Sequence, residues 1–337
     1  MTDIINHQVR LAGHPSGLPK PSDWEFSEAP LPALEDGELL VKTHYISVDP
    51  AMRGWMNGRD TYVAALKIGE VMRALSVGEV IDSRNSAFAV GDYVAGIGGV
   101  QEYAVFDGSI LAKVDTALMP LPAYLNSLGI AGLTAYCGLI EVGAPKAADT
   151  VVVSGAAGSV GAHVGQIAKI KGCRTVGIAG GARKCAFLTD ELGFDAAIDY
   201  KAEDLDAGLE RCCPDGIDIF FDNVGGETLD AALARINFHA RVVICGAISQ
   251  YNNTGAVAGP ANYLNLLIKS ARLEGFIYFN WRDKWPAMIK ELAAWRTAGQ
   301  LNCPDDIVEG GLKAFPDTLL RLFSGDNFGK LMIKVAD

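Results

Sequence analysis

Three glycines at three-residue spacing could bind a phosphate group. Gly155, Gly158 and Gly161 follow the apolar run Thr150–Ser154 and precede a helix expected over residues 162–171. In such a turn one glycine allows the tight bend, a second lets the backbone approach a pyrophosphate, and a third lets the helix pack closely on the sheet. The spacing alone is weak evidence. Between a strand and a helix it favours a dinucleotide site over an ordinary glycine-rich turn.

The residues after the next predicted strand indicate which dinucleotide would bind. A site specific for NAD places Asp or Glu at the end of that strand, where it holds the ribose 2′-hydroxyl. Here residues 174–178 are followed by small residues and then by Arg183 and Lys184, with no acid at the tip. One charge at ~4 Å from a 2′-phosphate contributes ~1 to 4 kcal/mol, and ~1.4 kcal/mol is a tenfold difference in affinity. The pattern predicts NADPH; the alternative is that both cations only form the solvated first turn of a helix.

The elements that must position these residues differ between two parts of the chain. Residues 9–115 contain short alternating runs separated by turn residues, which is typical of a mostly antiparallel β domain. From about residue 121 strands alternate with glycine turns and helices, which is typical of a doubly wound parallel sheet. The expected strands are 38–45, 76–81, 92–95 and 102–106 in the first part, and 150–154, 174–178, 196–200, 217–221, 241–245 and 273–278 in the second.

We therefore expect an α/β protein with two domains. A helix over 284–297, a further helix after residue 310 and a strand over 330–335 return the chain to its first domain. The predicted boundaries are residues 1–120 plus 310–337 for a catalytic β domain and 121–309 for a nucleotide-binding domain.

Composition and charge restrict the class of protein. The chain has 337 residues, 50% of them hydrophobic and 20% charged, as in ordinary globular proteins. Its net charge is −11 without a dense Lys/Arg block, so neither nucleic acid nor an anionic membrane is an expected partner. The first ten residues lack the apolar core of a signal peptide, and the seven cysteines form no C-x-x-C pair. We expect a cytoplasmic protein with reduced thiols.

Metal ligands are scarce in the predicted β domain. Zinc needs three or four converging Cys, His or carboxylate ligands. No cysteine precedes Cys137, and the histidines of this part, His7, His14 and His44, are widely separated in sequence. We expect no metal site, although ligands distant in sequence can meet in space.

The sequence closely resembles the zinc-independent branch of the medium-chain dehydrogenase/reductases, which contains prostaglandin reductases, plant alkenal double-bond reductases and bacterial curcumin reductase. The resemblance runs nearly from end to end. Its motifs are YISVDPAMR (45–53), GLTAY (132–136), GAAGSVG (155–161), FDNVGGE (221–227), CGAISQYN (245–252) and GDNFGK (325–330). The resemblance implies a GroES-like β-barrel domain followed by a Rossmann domain. It also implies that NADPH reduces the carbon-carbon double bond of an α,β-unsaturated ketone or aldehyde.

The resemblance further assigns cofactor contacts and a partner. It implies a small hydrophobic enone or enal as substrate and a homodimer as the assembled form. The implied NADPH contacts, in which residues 276–278 are taken as part of a strand, are Gly155, Ala157, Gly158, Ser159, Val160, Gly161, Gly180, Lys184, Tyr200, Asn223, Cys245, Ala247, Ser249, Tyr251, Phe276, Tyr278 and Asn327.

The family's proposed catalytic tyrosine falls on Tyr251. Hydride delivered to the β-carbon leaves negative charge on the carbonyl oxygen, and a phenol can stabilise or protonate that oxygen without a metal. Tyr251 follows the fifth predicted strand, at the edge where open α/β sheets bind ligands. The alternative for Tyr251 is a packing aromatic in a loop. Tyr45 is a weaker candidate for a second donor or a pocket wall, since a tyrosine on an alternating strand more often packs.

Some residues depart from the family pattern or have a structural explanation. Ala51 stands where relatives commonly have Tyr, and residues 99–101 read Gly-Val-Gln where many relatives have Gly-Trp. The loss of these two aromatics leaves the substrate's size open. The uncharged stretch 247–268 predicts a flexible apolar lid. Asp49 and Arg53 are expected to brace a loop as an ion pair, and His163 to pack on a helix face. Two other functions remain: a zinc-free quinone reductase, and an NADPH-binding protein without turnover.

Overall fold

The computed structural model describes residues 4–335, which divide into two compact units. The second unit is residues 126–304, and the first comprises the residues on both sides of it. The predicted boundaries at 120/121 and 309/310 lie close to these divisions. Residues 1–3 and 336–337, which the predicted first domain includes, lie outside the described residues.

The first unit is built on antiparallel sheets, as predicted. Strands β1 and β2 pair with each other, and the larger sheet has the order β14-β15-β3-β4-β5-β7 with β6 on β3. Among the described residues of this unit, β14 and β15 are the one pair that is parallel. The strands are β1 Ile5–Leu11, β2 Trp24–Pro30, β3 Leu39–Ser47, β4 Ser76–Ser83, β5 Tyr93–Gly96, β6 Tyr103–Phe106, β7 Ala112–Val114, β14 Asp305–Val308 and β15 Lys330–Lys334.

The first unit also contains the α-helices α1 Ala51–Trp55 and α9 Phe315–Ser324. Helix α9 buries Phe315, Thr318, Leu319 and Leu322, which recur at the spacing of one helical face. The ring of Phe315 meets Trp24 edge-on at 5.2 Å between centroids.

The second unit has one parallel sheet of six strands, with the order β10-β9-β8-β11-β12-β13. All five residues of β8 are buried, as expected for a valine-rich central strand covered on both faces. The chain enters the sheet at β8 and adds β9 and β10 on one side of that strand. It then crosses back and adds β11, β12 and β13 on the other side, which is the Rossmann arrangement. The strands are β8 Thr150–Ser154, β9 Arg174–Ala179, β10 Ala196–Asp199, β11 Ile217–Asp222, β12 Ile236–Ile244 and β13 Arg272–Gly275.

The α-helices of the second unit are α2 Ile130–Tyr136, α3 Ser159–Ile170, α4 Ala182–Ala186, α5 Leu205–Cys212, α6 Gly226–Leu233, α7 Leu264–Ile268 and α8 Trp285–Thr297. Helices α3 to α7 connect consecutive strands of this sheet, whereas α2 precedes β8 and α8 follows β13. Two π-helices, Cys137–Gly143 and Phe187–Glu191, continue α2 and α4. Within residues 4–335, no helix combines the length and apolar character that crossing a membrane requires.

The sixth strand of the parallel sheet is shorter than predicted. We expected residues 273–278, whereas β13 ends at Gly275 and a 3-10 helix begins at Tyr278. The prediction that Phe276 and Tyr278 lie on a strand is therefore wrong. The ring of Phe276 turns inward to meet Phe221 at 6.2 Å and covers Gly138, which has no side chain to obstruct it.

Candidate cofactor and catalytic site

The glycine-rich turn has the geometry that a bound phosphate requires. Gly155 has a φ of +59°, a conformation that favours glycine. A Cβ on Gly161 would lie 2.5 Å from the Gly155 carbonyl oxygen and 2.7 Å from Ala156 Cα, so only glycine lets α3 begin this close to the turn. The hydroxyl of Ser159, in the first turn of α3, is buried and has no hydrogen-bond partner within residues 4–335. The turn therefore fits an anionic ligand at a helix N-terminus.

The other predicted residues of this turn lie beside it. Gly158 is the N-cap of α3, Val160 follows Ser159 in the first helical turn, and Ala157 is buried. His163 is fully buried one turn further along; its ring nitrogens contact the Ser159 carbonyl oxygen at 2.7 Å and Ser127 Oγ at 2.9 Å.

The ends of β8 and β11 are joined where the strand order of the sheet reverses. Ser154 Oγ donates to Asp222 Oδ1 at 2.7 Å and accepts the Asn223 backbone N–H at 2.8 Å. The Asn223 side-chain amide donates to the Ser154 carbonyl oxygen at 2.8 Å. Open α/β sheets bind ligands at this reversal, outside the carboxyl ends of the strands.

Asp222 extends these contacts to the end of β12. Its side chain accepts the backbone N–H groups of Val224 at 3.0 Å and Gly225 at 3.0 Å. Its carbonyl oxygen accepts the N–H groups of Cys245 at 2.9 Å and Gly246 at 3.1 Å. The carboxyl group is 1% exposed, and burial raises its pKa, whereas the hydrogen bonds from Gly225, Ser154 and Val224 act in the opposite direction.

The segment after β12 carries Tyr251 back over the strand end. Ile248 N donates to the Asn223 carbonyl oxygen at 3.1 Å, and Ser249 donates to the Val224 carbonyl oxygen through N at 3.2 Å and Oγ at 2.6 Å. Tyr251 Oη accepts the Ala247 N–H at 3.1 Å. A Cβ on residue 246 would lie 2.9 Å from Tyr251 Oη, so Gly246 makes room for this hydroxyl.

Cys245 lies at the same strand end but is a poor nucleophile. Burial, together with the negative charge of Asp222, raises the pKa of its thiol to about 12. The thiol therefore stays protonated at neutral pH, and Cys245 can contribute to the site only through the space that its side chain fills.

The tip of β9 brings together several residues predicted to bind the cofactor. A Cβ on Gly180 would lie 2.9 Å from two ring atoms of Tyr200, so the ring covers this glycine. Lys184 is half-buried in α4, next to the exposed Arg183. Lys201, which was not predicted from the sequence, also lies here: its Cε would be 2.9 Å from the same Cβ.

The remaining predicted residue of this unit is Tyr278. Its ring stacks on Phe279 at 4.3 Å and on Trp285 at 5.1 Å between centroids. Its carbonyl oxygen accepts the indole N–H of Trp285 at 3.2 Å. These contacts fix the 3-10 helix that follows Phe276.

Two predicted residues, Tyr45 and Asn327, belong to the first unit. Tyr45 lies in β3 and is half-buried against the cluster that contains Val77, Val114 and Met332. Asn327 is 8% exposed, and its side-chain amide donates to the Gly329 carbonyl oxygen at 3.4 Å.

The expected ion pair between Asp49 and Arg53 is wrong. Asp49 instead pairs with the buried Lys330, a partner that was not predicted from the sequence. The Arg53 guanidinium donates to the carbonyl oxygens of Pro15 at 3.0 Å and Gly17 at 2.9 Å. Both side chains therefore hold their loop in place, but Asp49 does so through Lys330 and Arg53 through the carbonyl groups of Pro15 and Gly17.

The similarities to known proteins agree with this arrangement. Residues 7–114 match the family described as the N-terminal domain of oxidoreductase, and residues 159–294 match the family described as zinc-binding dehydrogenase. The NADPH-dependent curcumin reductase of Escherichia coli is 39% identical over 336 residues, covering 98% of this chain and 97% of that protein. The chain belongs to the medium-chain dehydrogenase/reductase family.

Two further members of the medium-chain dehydrogenase/reductase family are similar over almost the whole chain. The NADP(+)-dependent 2-alkenal reductase of Nicotiana tabacum is 38% identical, covering 99% of this chain and 98% of that protein. The crystal structure of CurA from Vibrio vulnificus in complex with NADPH has a TM-score of 0.93 and 38% identity, covering 98% of this chain and 99% of that one.

The second family is described as zinc-binding, and a zinc site needs three or four converging Cys, His or carboxylate ligands. Within residues 4–335, no group of three or more His, Cys, Asp or Glu side chains is placed to hold a metal ion. The absence of a metal from the reaction remains a prediction.

Proposed function

We propose that the protein reduces the carbon-carbon double bond of an α,β-unsaturated ketone or aldehyde with NADPH and without a metal. The observation that carries the proposal is the continuous set of hydrogen bonds from Ser154 through Asp222 and Asn223 to the segment that holds Tyr251. This set supports the proposal because it links the Tyr251 segment to the edge at which open α/β sheets bind ligands. The names of two relatives, the NADPH-dependent curcumin reductase and the NADP(+)-dependent 2-alkenal reductase, refer to substrates of this class.

The residues at this edge fit NADPH. The glycine-rich turn and Ser159 would receive its pyrophosphate, and the residues around Gly180, with Lys184 and Tyr200, its phosphorylated ribose. The ends of β11 and β12, with Asn223, Cys245 and the segment 247–251, would hold the nicotinamide. When bound, NADPH supplies the hydride that is added to the β-carbon of the substrate.

Tyr251 would supply the charge stabilisation that the reaction needs. Negative charge develops on the substrate's carbonyl oxygen, and the Tyr251 hydroxyl donates to that oxygen, first as a hydrogen bond and then as a proton. Because Oη already accepts the Ala247 N–H, its O–H is polarised and is a stronger donor. Phe at position 251 would keep the ring and remove only this donor.

The role of Tyr251 is tested by steady-state and binding measurements on Tyr251→Phe. We expect kcat for an alkenone to fall ~100-fold or more, the usual effect of removing one donor to an oxyanion, with the Kd for NADPH unchanged. Tyr103→Phe, which removes a hydroxyl from β6, is the control and should keep the rate. A Tyr251→Phe rate within about threefold of the wild type would exclude Tyr251 as the main donor.

The reaction class is tested by following NADPH absorbance with a panel of enones, enals and quinones. We expect turnover with the enones and enals that persists after exhaustive treatment with a chelator. Turnover with quinones alone would identify a quinone reductase. NADPH binding without any turnover would identify a non-catalytic protein, and stoichiometric zinc required for activity would contradict the metal-free proposal.

We propose in addition the type of substrate, the oligomeric state and the cellular location of the protein. The uncharged segment 247–268 exposes Val257 and Leu264, which suits an apolar enone or enal. We propose Tyr45 as a second donor or as part of the pocket wall, and Asn327 as a cofactor contact. We further propose that the protein is a cytoplasmic homodimer and that neither nucleic acid nor a membrane is a partner.

A further inference from the structure

Lys201 lies across the tip of β9, beside Tyr200. A Cβ on Gly180, the first residue after β9, would meet Lys201 Cε and two Tyr200 ring atoms, each at 2.9 Å. The lysine stem and the tyrosine ring therefore cover the same glycine. In the Rossmann arrangement, the end of the second strand is where the ribose 2′ group is recognised. Lys201 thus brings a cation to this place from the end of the neighbouring strand, β10.

The carboxyl group of Asp199 fixes this geometry. Its Oδ1 accepts the Gly181 N–H at 2.7 Å and the Lys201 N–H at 3.1 Å. One oxygen atom therefore ties the tip of β9 to the residue that bears the ammonium group. The contact is with the backbone of Lys201, so the ammonium group is not used to hold it.

The other charges around Lys201 leave its ammonium group available. Glu203, two residues further along, binds Arg211 at 2.7 Å through both carboxylate oxygens. Within residues 4–335, no carboxylate lies within ion-pair distance of Lys201 Nζ. Asp199 would by itself repel a phosphate at this tip, and a second cation beside Lys184 offsets that repulsion.

We propose that Lys201 is a specificity-determining residue that binds the 2′-phosphate of NADPH together with Lys184. The inference rests on the proposed use of NADPH and adds a residue to its recognition. Because the chain has a net charge of −11, its overall field does not attract phosphates, and affinity for this group must come from cations at the site.

The test compares two small ligands that differ only in the phosphate. Binding of 2′,5′-ADP and of 5′-AMP is measured by calorimetry for the wild type, Lys201→Ala, Lys201→Arg and Lys290→Ala. We expect Lys201→Ala to weaken 2′,5′-ADP about tenfold, a change within the range that one screened charge contributes. It should leave 5′-AMP nearly unchanged.

The remaining variants separate charge from structure. Lys201→Arg should keep most of the affinity for 2′,5′-ADP, because the charge remains. Lys290→Ala removes the same charge from an exposed position on α8 and should change neither ligand. The Lys201→Ala effect should also shrink as the salt concentration rises.

Two results would overturn the inference, and they differ from failure of the proposed function. If Lys201→Ala binds 2′,5′-ADP as well as the wild type does, or loses both ligands equally, Lys201 does not recognise the 2′-phosphate. If the wild type itself does not prefer 2′,5′-ADP over 5′-AMP, the proposed use of NADPH fails as well.

Discussion

Asp222 makes contacts to both central strands of the nucleotide sheet, and its substitution should reduce stability. Asp222→Asn replaces one acceptor oxygen with an NH₂ group that faces donors such as Ser154 Oγ and Gly225 N. Leaving a buried donor unpaired costs ~1 to 3 kcal/mol. We expect the free energy of unfolding in urea at pH 7 to fall by about this amount. Asp36→Asn, at a fully exposed carboxylate, is the control and should have almost no effect.

The pH dependence of stability gives the same residue a second test. Burial raises the pKa of Asp222 above the ordinary value of 3.8, so the folded protein holds this proton more tightly than the unfolded chain does. Its contribution to stability is therefore largest below pH 3.8 and falls as the pH rises through the raised pKa. Asp222→Asn should lack this decline. Equal urea midpoints and equal pH profiles of stability for the wild type and Asp222→Asn would show that the Asp222 carboxyl group does not stabilise the ends of these strands.

Residues in continuous motifs could be identified from the sequence, whereas pairs could not. The glycine-rich turn was predictable because Gly155, Gly158 and Gly161 belong to one short segment. Ser154 and Asp222 are 68 residues apart, and Asp49 and Lys330 are 281 residues apart. No local pattern connects such partners, since the fold alone brings them together. Lys201 was missed for the same reason: the glycine that it covers follows a different strand.

The approach of α3 to the end of β8 depends on Gly161. Gly161→Ala would place a methyl group 2.5 Å from a carbonyl oxygen and 2.7 Å from a backbone carbon, neither of which can move without shifting the turn. We expect the Kd for NADPH to rise about tenfold or more, because the phosphate-binding N–H groups move with the helix. The melting temperature should also fall.

Gly54→Ala is the matched control for Gly161→Ala. It adds the same methyl group to a helical glycine in α1, where, within residues 4–335, nothing beyond the chain neighbours and the helix's own backbone lies within 4 Å of the new Cβ. This variant should be at least as stable as the wild type, because alanine favours helix over glycine by ~1 kcal/mol. If Gly161→Ala bound NADPH as the wild type does, the close approach of helix and turn would have no part in binding.

Elements inside the sheets were predictable, while elements at their margins were not. The strand 150–154 was correct because an uninterrupted valine run is typical of a central parallel strand. The sixth strand was extended too far, since the apolar residues after Gly275 continue the run, whereas Phe276 meets Phe221 and Tyr278 stacks on Phe279 and Trp285. A contact with an aromatic residue that is distant in sequence does not change the local pattern of apolar and polar residues, so this pattern could not predict where the strand ends.

The parallel sheet ends at the exposed strand β13, whose sequence is Arg-Leu-Glu-Gly, and we propose this edge as the interface with a second copy of the protein. All four residues of β13 are exposed. Within β13, Leu273 is 40% exposed, and apolar side chains near the strand are exposed as well: Ile268 by 61%, Phe238 by 65% and Leu267 by 79%. An unpaired strand edge next to such a surface is a site for pairing between chains, and two identical edges related by a two-fold axis would continue the sheet.

Light scattering of the purified protein tests this assembly. We expect a mass of twice the 35.7 kDa of one chain at micromolar concentration. Leu273→Lys places a charge on the exposed edge, where it should leave the fold intact and lower the mass to that of one chain, because two lysines would approach each other across the axis. Lys290→Ala, on α8, should remain dimeric. A wild-type mass near 35.7 kDa would reject the dimer, whereas a Leu273→Lys protein that stayed dimeric would place the interface elsewhere.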